Sequence, residues 1–276
     1  MENGFNTDWL YIEPVGMCNL RCKLCYTKRY SKIIPKARLL KIINDFSKLK
    51  KSMKIYWCGG GELFLYRHFV PIANYVSDNI VGCKQVIQTN GMFSEGLDSL
   101  NKIEKIDFRV SIDMPRRFQE WNRGKGNFDK AMDFCRKAYD IGCGIEVRTL
   151  LVKDNIEHLL EFEKFLKDEI GERIILSATP VMLPKDTGCK NDVEKGMLFD
   201  SLEEVRNGLG KYNGRFASNN HDYLTYVSIS PSGFYSCCEM INKIGDLNED
   251  LSVIMERLKS SADYCNRCRL LKYCLF

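Results

Sequence analysis

Trp9–Tyr26 reads WLYIEPVGMCNLRCKLCY: a short apolar run, a proline and a glycine, then Cys18, Cys22 and Cys25. Trp9–Glu13 is a strand candidate with Tyr11 and Glu13 on one face. Spacings of four and three residues let one tight loop aim three thiolates at a single centre. Thiolates suit iron–sulfur clusters or zinc. A structural zinc site is closed by four ligands, and none of the three histidines (His68, His158, His221) lies nearby in sequence. Three ligands on a four-iron cluster leave one iron open, as a site that performs chemistry requires. A zinc loop borrowing a distant fourth cysteine is the alternative.

Outward from that loop the chain alternates strand and helix patterns. Strands are expected at Trp9–Glu13, Lys54–Cys58, Gln85–Thr89, Phe108–Asp113, Ile145–Val152 and Arg173–Ser177. Phe128, Ala131, Met132, Cys135 and Ala138 share one helical face, and Ile156, Leu159, Leu160 and Leu166 share another. Six such steps predict an α/β fold, a parallel sheet covered by helices and curled toward a partial (β/α)6 TIM-like barrel. Two strands carry one polar face: Arg109, Ser111 and Asp113 in one, Glu146 and Arg148 in the other. A strand buried on both faces should be apolar throughout, so these residues predict a wet, functional barrel interior; a solvated edge strand is the bland alternative.

After Pro184 the pattern changes. An amphipathic helix through Val193, Met197, Leu198, Leu202 and Val205 is expected, then a β-hairpin, YLTYVSISPSGFYSCC, turning at Pro231–Gly233. A short helix, Leu251–Leu258, follows. Residues 1–184 therefore read as the barrel and 185–276 as a small α+β domain.

The 276 residues hold 13 cysteines, an odd number, and five of them (Cys237, Cys238, Cys265, Cys268, Cys274) crowd the last forty positions. The start, MENGFNTDWL, shows no secretory signal, and no apolar run reaches the roughly 18–20 residues of a membrane span. Metal chemistry in a reducing cytoplasm is expected rather than disulfides. Lys and Arg total 41 against 36 Asp and Glu, a net charge of +5 spread along the chain. That bias is too weak for a nucleic-acid footprint but suits an acidic electron donor. Isolated Cys83, Cys135 and Cys143 read as core packing. Cys58 ends the second strand beside the presumed site.

CNLRCKLC with Tyr26, directly after the strand, resembles the cluster motif of radical S-adenosylmethionine (SAM) enzymes. GGGELFLYRHF at Gly59–Phe69 resembles the family's glycine-glycine-glutamate-proline segment through Gly60, Gly61 and Glu62, although Leu63 replaces the proline and Gly59 is extra. It lacks the Lys-Ser/Thr ending of a phosphate-binding P-loop. QTNG at Gln88–Gly91, SID at Ser111–Asp113, and VRTLLVKDN with Arg148 and Asn155 resemble later strand ends of the family, in order. The resemblance implies a [4Fe–4S] cluster on Cys18, Cys22 and Cys25 whose open iron chelates SAM. One electron would cleave SAM to methionine and a 5′-deoxyadenosyl radical that abstracts a substrate hydrogen atom. It further implies SAM contacts from Tyr26, Gly60, Gly61, Asn90, Ser111, Asp113 and Arg148, with Glu62 shaping the glycine turn.

CNRCRLLKYC places Cys265, Cys268 and Cys274 in a C-x2-C-x5-C array, with Cys238 upstream. This resembles a shortened SPASM, or twitch, domain and implies one auxiliary [4Fe–4S] cluster on Cys238, Cys265, Cys268 and Cys274, with Cys237 or Cys189 as alternates. A four-cysteine zinc site is the alternative.

Three functions follow from different classes. The leading expectation is an oxidoreductase, similar to aminoglycoside-pathway dehydrogenases. It takes hydrogen from a small alcohol such as a sugar or aminocyclitol and passes an electron to the auxiliary cluster. With 17 residues before Cys18, no fused peptide-recognition domain is expected, which favours a small molecule. The second is a peptide epimerase or crosslinking enzyme, with Cys237 or Cys58 as hydrogen donor for epimerisation. The third is a non-enzymatic zinc-bearing binding module. Candidate catalytic residues are Glu13, Tyr11, Glu146 and Cys237, and a low-potential flavodoxin or ferredoxin is the expected partner.

Overall fold

In the computed structural model the described residues are 8–25, 27, 29–50, 52–181, 197–210, 212, 215–216, 226–236 and 243–260. Six strands run parallel in chain order: β1 (Trp9–Ile12), β2 (Lys54–Trp57), β3 (Lys84–Thr89), β4 (Ile106–Ser111), β5 (Gly144–Leu151) and β6 (Ile175–Pro180). Helices α1 (Lys36–Leu49), α2 (Phe69–Asn79), α3 (Arg116–Arg123), α4 (Asn127–Ile141) and α5 (Leu159–Glu169) make the crossovers, except between β3 and β4, where two 3-10 turns suffice. After α6 (Leu202–Leu209), the short β7 (Arg215–Phe216) extends the sheet beyond β6.

The opposite edge is extended from the far end of the chain. β8 (Tyr226–Ser230) pairs in parallel with β1, while β9 (Gly233–Tyr235) and β10 (Lys243–Gly245) add antiparallel strands outside it. The resulting ten-stranded sheet runs β10-β9-β8-β1-β2-β3-β4-β5-β6-β7 and does not close. α7 (Leu251–Ser260) packs on α1, and Arg38 Nη2 donates to the Glu249 carbonyl at 2.7 Å. The fold is thus mixed α/β with a largely parallel sheet, an unclosed barrel.

One face of the sheet is apolar because alternate strand residues meet helix stripes there. Leu10, Ile12, Ile55, Trp57, Phe108, Val110, Ile145 and Val147 pack beneath Leu39, Ile42, Ile43 and Phe46 of α1, Phe69, Ile72 and Val76 of α2, and the α4 stripe. Spacings of three and four residues turn those side chains to one side of each helix. Cys135 and Cys143 lie in this core and Cys83 at its margin. The other face carries the polar alternation of β4 and β5, half-buried.

Several expected features differ from the structure. β4 runs Ile106–Ser111, two residues earlier than read. β6 begins at Ile175, two residues later than read, after Gly171 takes a positive φ of 139°. Leu160 is 55% exposed, and the buried stripe of α5 is Leu159, Phe162 and Leu166. α6 starts at Leu202, where Ser201 caps it by accepting from the Glu204 N–H at 3.2 Å, so Met197 and Leu198 precede it; Val193 lies outside the described residues. The hairpin forms as expected, with Ser230 opposite Gly233.

Candidate functional site

Cys18, Cys22 and Cys25 lie on the loop leaving β1, free of disulfides and half-buried. The loop binds itself: Arg21 Nη1 donates to the carbonyls of Cys18 (2.8 Å) and Leu20 (2.9 Å), and Cys25 N–H donates to the Cys22 carbonyl at 3.3 Å. The Leu20 N–H points at Cys18 Sγ, 3.4 Å away. Burial raises the Cys22 thiol, Arg123 pulls it the other way, and Cys25 and Cys18 add to the rise. Tyr26 lies outside the described residues.

The loops leaving β2 and β3 support one side of this loop. A Cβ on Gly61 would stand 2.0 Å from the Met17 carbonyl oxygen, so only glycine lets the two backbones touch, and the Glu62 N–H bonds that same carbonyl at 2.8 Å. Gly60 offers its carbonyl to Thr27 Oγ1 (3.1 Å), which in turn lies 3.0 Å from Cys25 Sγ. Glu62 is 2% exposed; its carboxylate accepts from Thr89 Oγ1 and the Asn90 N–H, both at 2.8 Å. Burial pushes its carboxyl up to about 7 against the hydrogen bonds it accepts. Asn90 then donates to Asn19 Oδ1 at 2.8 Å and lies 4.0 Å from Cys18 Sγ.

The end of β4 and α3 support the other side. Asn122 receives the Lys23 N–H on its carbonyl (2.9 Å) and the Leu24 N–H on Oδ1 (3.0 Å), between Cys22 and Cys25. Its Nδ2 donates to Asp113 Oδ2 at 2.9 Å, and Arg123 Nε donates to the same oxygen at 2.8 Å. Arg123 Nη2 and the Leu150 N–H complete Asp113 Oδ1, at 3.3 and 2.8 Å. Asp113 is therefore a fully buried anchor whose oxygens are already taken by donors of the chain. Asn155 staples the ends of β4 and β5, donating to the carbonyls of Met114 and Leu150.

Ser111 and Arg148 face each other across β4 and β5. One step back along the strands lies a polar layer. Glu146 accepts from Arg109 Nε (2.6 Å), Ser177 Oγ (2.6 Å) and Arg148 Nε (3.3 Å). Burial works to raise its carboxyl, but Arg109, Arg148 and Ser177 outweigh it and hold it below the usual range. The Arg109 guanidinium covers the Tyr56 ring at 4.7 Å, Tyr56 stacks against Tyr11 at 4.7 Å, and the Tyr56 hydroxyl donates to Gln88 at 2.5 Å. At the end of β1, Glu13 accepts from the Tyr30 hydroxyl; burial raises its carboxyl, countered by Tyr30 and the Gly60 N–H. Cys58 is buried 3.6 Å from the Ile12 carbonyl, and burial drives its thiol well up.

The model of the radical SAM superfamily matches residues 12–166, more than half of the chain. This protein belongs to the radical SAM superfamily. No curated protein sequence matches it. Among solved structures it is similar to Streptococcus suis SuiB bound to S-adenosylmethionine (15% identity, TM-score 0.69, 97% of this chain and 72% of that one). It is also similar to anSMEcpe with bound AdoMet (15%, 0.63, 96% and 84%) and to BtrN in complex with AdoMet and 2-DOIA (16%, 0.54, 97% and 92%). At those identities the likeness is one of fold.

The cysteine loop fits a radical SAM cluster by its donor set: three free thiols with no imidazole or carboxylate among them, and a backbone N–H turned to one sulfur. Among the described residues no three His, Cys, Asp or Glu side chains, the three cysteines included, are gathered closely enough to hold a single metal ion. Cys189, Cys237, Cys238, Cys265, Cys268 and Cys274 lie outside the described residues. Asn19, Asn122 and Arg123 escaped sequence reading. The available signal was Gln119, Asn122 and Arg123 at spacings of three and four, a polar stripe on a short helix.

Proposed function

We propose that this radical SAM enzyme is an oxidoreductase that removes hydrogen from a polar small molecule, such as a sugar or aminocyclitol alcohol, and passes the second electron to an auxiliary [4Fe–4S] cluster. Held by Cys18, Cys22 and Cys25, a [4Fe–4S] cluster with SAM supplies one-electron cleavage chemistry and a hydrogen-abstracting radical. The observation that carries the reading is the polar layer of Arg109, Glu146, Ser177 and Tyr56, set one strand step behind Ser111 and Arg148. Such a layer hydrogen-bonds hydroxyls and amines and orients one C–H bond. Arg148, with only its Nε on Glu146 among the described contacts, would pair a carboxylate of SAM. Ser111 would add a contact beside it, and Asp113 would act through Arg123. Glu13, raised by burial and hydrogen-bonded to Tyr30, is the candidate proton acceptor.

In this reading residues 185–276 form the auxiliary domain, with Cys238, Cys265, Cys268 and Cys274 as ligands. A fully ligated cluster there suits electron transfer. The cytoplasm supplies the reducing conditions and a flavodoxin or ferredoxin the electron. Among the described residues no helix is long and apolar enough to cross a membrane.

Iron and sulfide content after anaerobic reconstitution tests the two-cluster proposal. About eight irons in the wild type and about four in a Cys18/Cys22/Cys25→Ala variant are expected. About four falling to none would remove the auxiliary cluster and the oxidation route with it. A peptide substrate is the second reading, favoured by the neighbours SuiB bound to precursor peptide SuiA and anSMEcpe bound to a peptide. Epimerisation would incorporate solvent deuterium through Cys237 or Cys58 without net oxidation of the substrate; dehydrogenation would take two electrons from it, one with the abstracted hydrogen atom and one to the auxiliary cluster.

A further inference from the structure

The buried pair of Asp113 and Arg123 sits against the cysteine loop, although neither residue is a thiol ligand. Asp113 is wholly buried and the Arg123 side chain is 11% exposed. Asn122, the preceding residue of α3, holds the backbone between Cys22 and Cys25. The guanidinium is within electrostatic reach of both those sulfurs. Asn122 Nδ2 and Arg123 Nε meet on the same Asp113 oxygen while Asn122 Oδ1 holds the Leu24 N–H, so one side chain joins the pair to the loop.

We infer that Arg123 is a positioning residue whose fixed positive charge, oriented by Asp113, sets the redox equilibrium of the cluster carried by Cys18, Cys22 and Cys25. This rests on the cluster assignment of the proposed function and goes beyond it. Adding an electron makes the cluster more negative. A guanidinium excluded from water favours that state far more than an exposed one, because little solvent screens it. Asp113 opposes it and fixes its direction through two hydrogen bonds. Charges around the sulfurs are among the levers that set cluster potentials.

The test is an anaerobic redox titration of the full reconstituted chain, following the electron-paramagnetic-resonance signal that SAM perturbs, with iron content measured in parallel. Arg123→Gln should make reduction at least tenfold less favourable, a fall of about 59 mV for one electron. Arg123→Lys should stay within threefold of wild type. Asp113→Asn, which leaves the guanidinium uncompensated, should shift the equilibrium the opposite way by threefold or more. A fully loaded Arg123→Gln protein within threefold of wild type would overturn the inference. So would shifts of the same sign in Arg123→Gln and Asp113→Asn. If Arg123→Gln fails to hold iron, Arg123→Lys decides: a wild-type midpoint supports the charge role, and equal loss of iron makes the pair merely structural. Wild-type protein without a SAM-sensitive signal would instead refute the cluster assignment.

Discussion

Glu62 and Gly61 show how single residues of the second loop govern the first. The Glu62 carboxyl is raised to about 7 in the folded chain, from 4.5. The folded state therefore binds the proton more tightly, and its stabilising contribution is full below about 4.5 and lost as pH rises through about 7. Across that window the loss is on the order of 3 kcal/mol. Denaturant unfolding at pH 5 and pH 8 should show it in the wild type, and Glu62→Gln, which cannot ionise, should flatten the slope; an equal slope in both proteins would refute the role. Gly61→Ala places a carbon 2.0 Å from the Met17 carbonyl oxygen. The expected result is a chain with wild-type circular dichroism that retains less than half of the wild-type iron at the cysteine loop.

At the scale of elements, the loop after β1 is held between two partners, the turns after β2 and β3 and the helix α3. Asn122→Ala strips the Leu24 N–H of its partner and removes one of the two donors to Asp113 Oδ2, a cost of about 1–3 kcal/mol. Iron should then be lost to a chelator several-fold faster, while the helical signal is kept; unchanged loss would mean that α3 does not hold the loop. The first five strands and the Cys18–Cys25 loop were legible because β-period alternation and cysteine spacing are local signals. The α3 partnership was not, because Asn122 and Arg123 meet Lys23 and Asp113 only after the chain has crossed β2, β3 and β4. Leu160 misled for the opposite reason: a run of adjacent leucines reads as a buried face, yet two neighbours on a helix point about 100° apart and only Leu159 turns inward.

Across the whole molecule, one sheet carries both ends of the chain. β1, which launches the cysteine loop, pairs with β2 on one side and with β8, from the far end of the sequence, on the other. No sequence periodicity encodes that pairing; the hairpin of β8 and β9 was readable, but not the edge it joins. The polar layer depends on this sheet too, since Arg109, Glu146 and Ser177 come from three successive strands. Glu146→Gln would leave two guanidiniums without their carboxylate partner. Substrate turnover should fall at least tenfold, while uncoupled SAM cleavage should stay within about threefold of wild type. If the cysteine loop directs reductive cleavage of SAM, product analysis under anaerobic reduction will show it. Reconstituted wild-type protein should release 5′-deoxyadenosine and methionine in equal amounts, and the Cys18/Cys22/Cys25→Ala variant none. Absence of 5′-deoxyadenosine from iron-loaded wild type, or equal amounts from both proteins, would deny the loop that role.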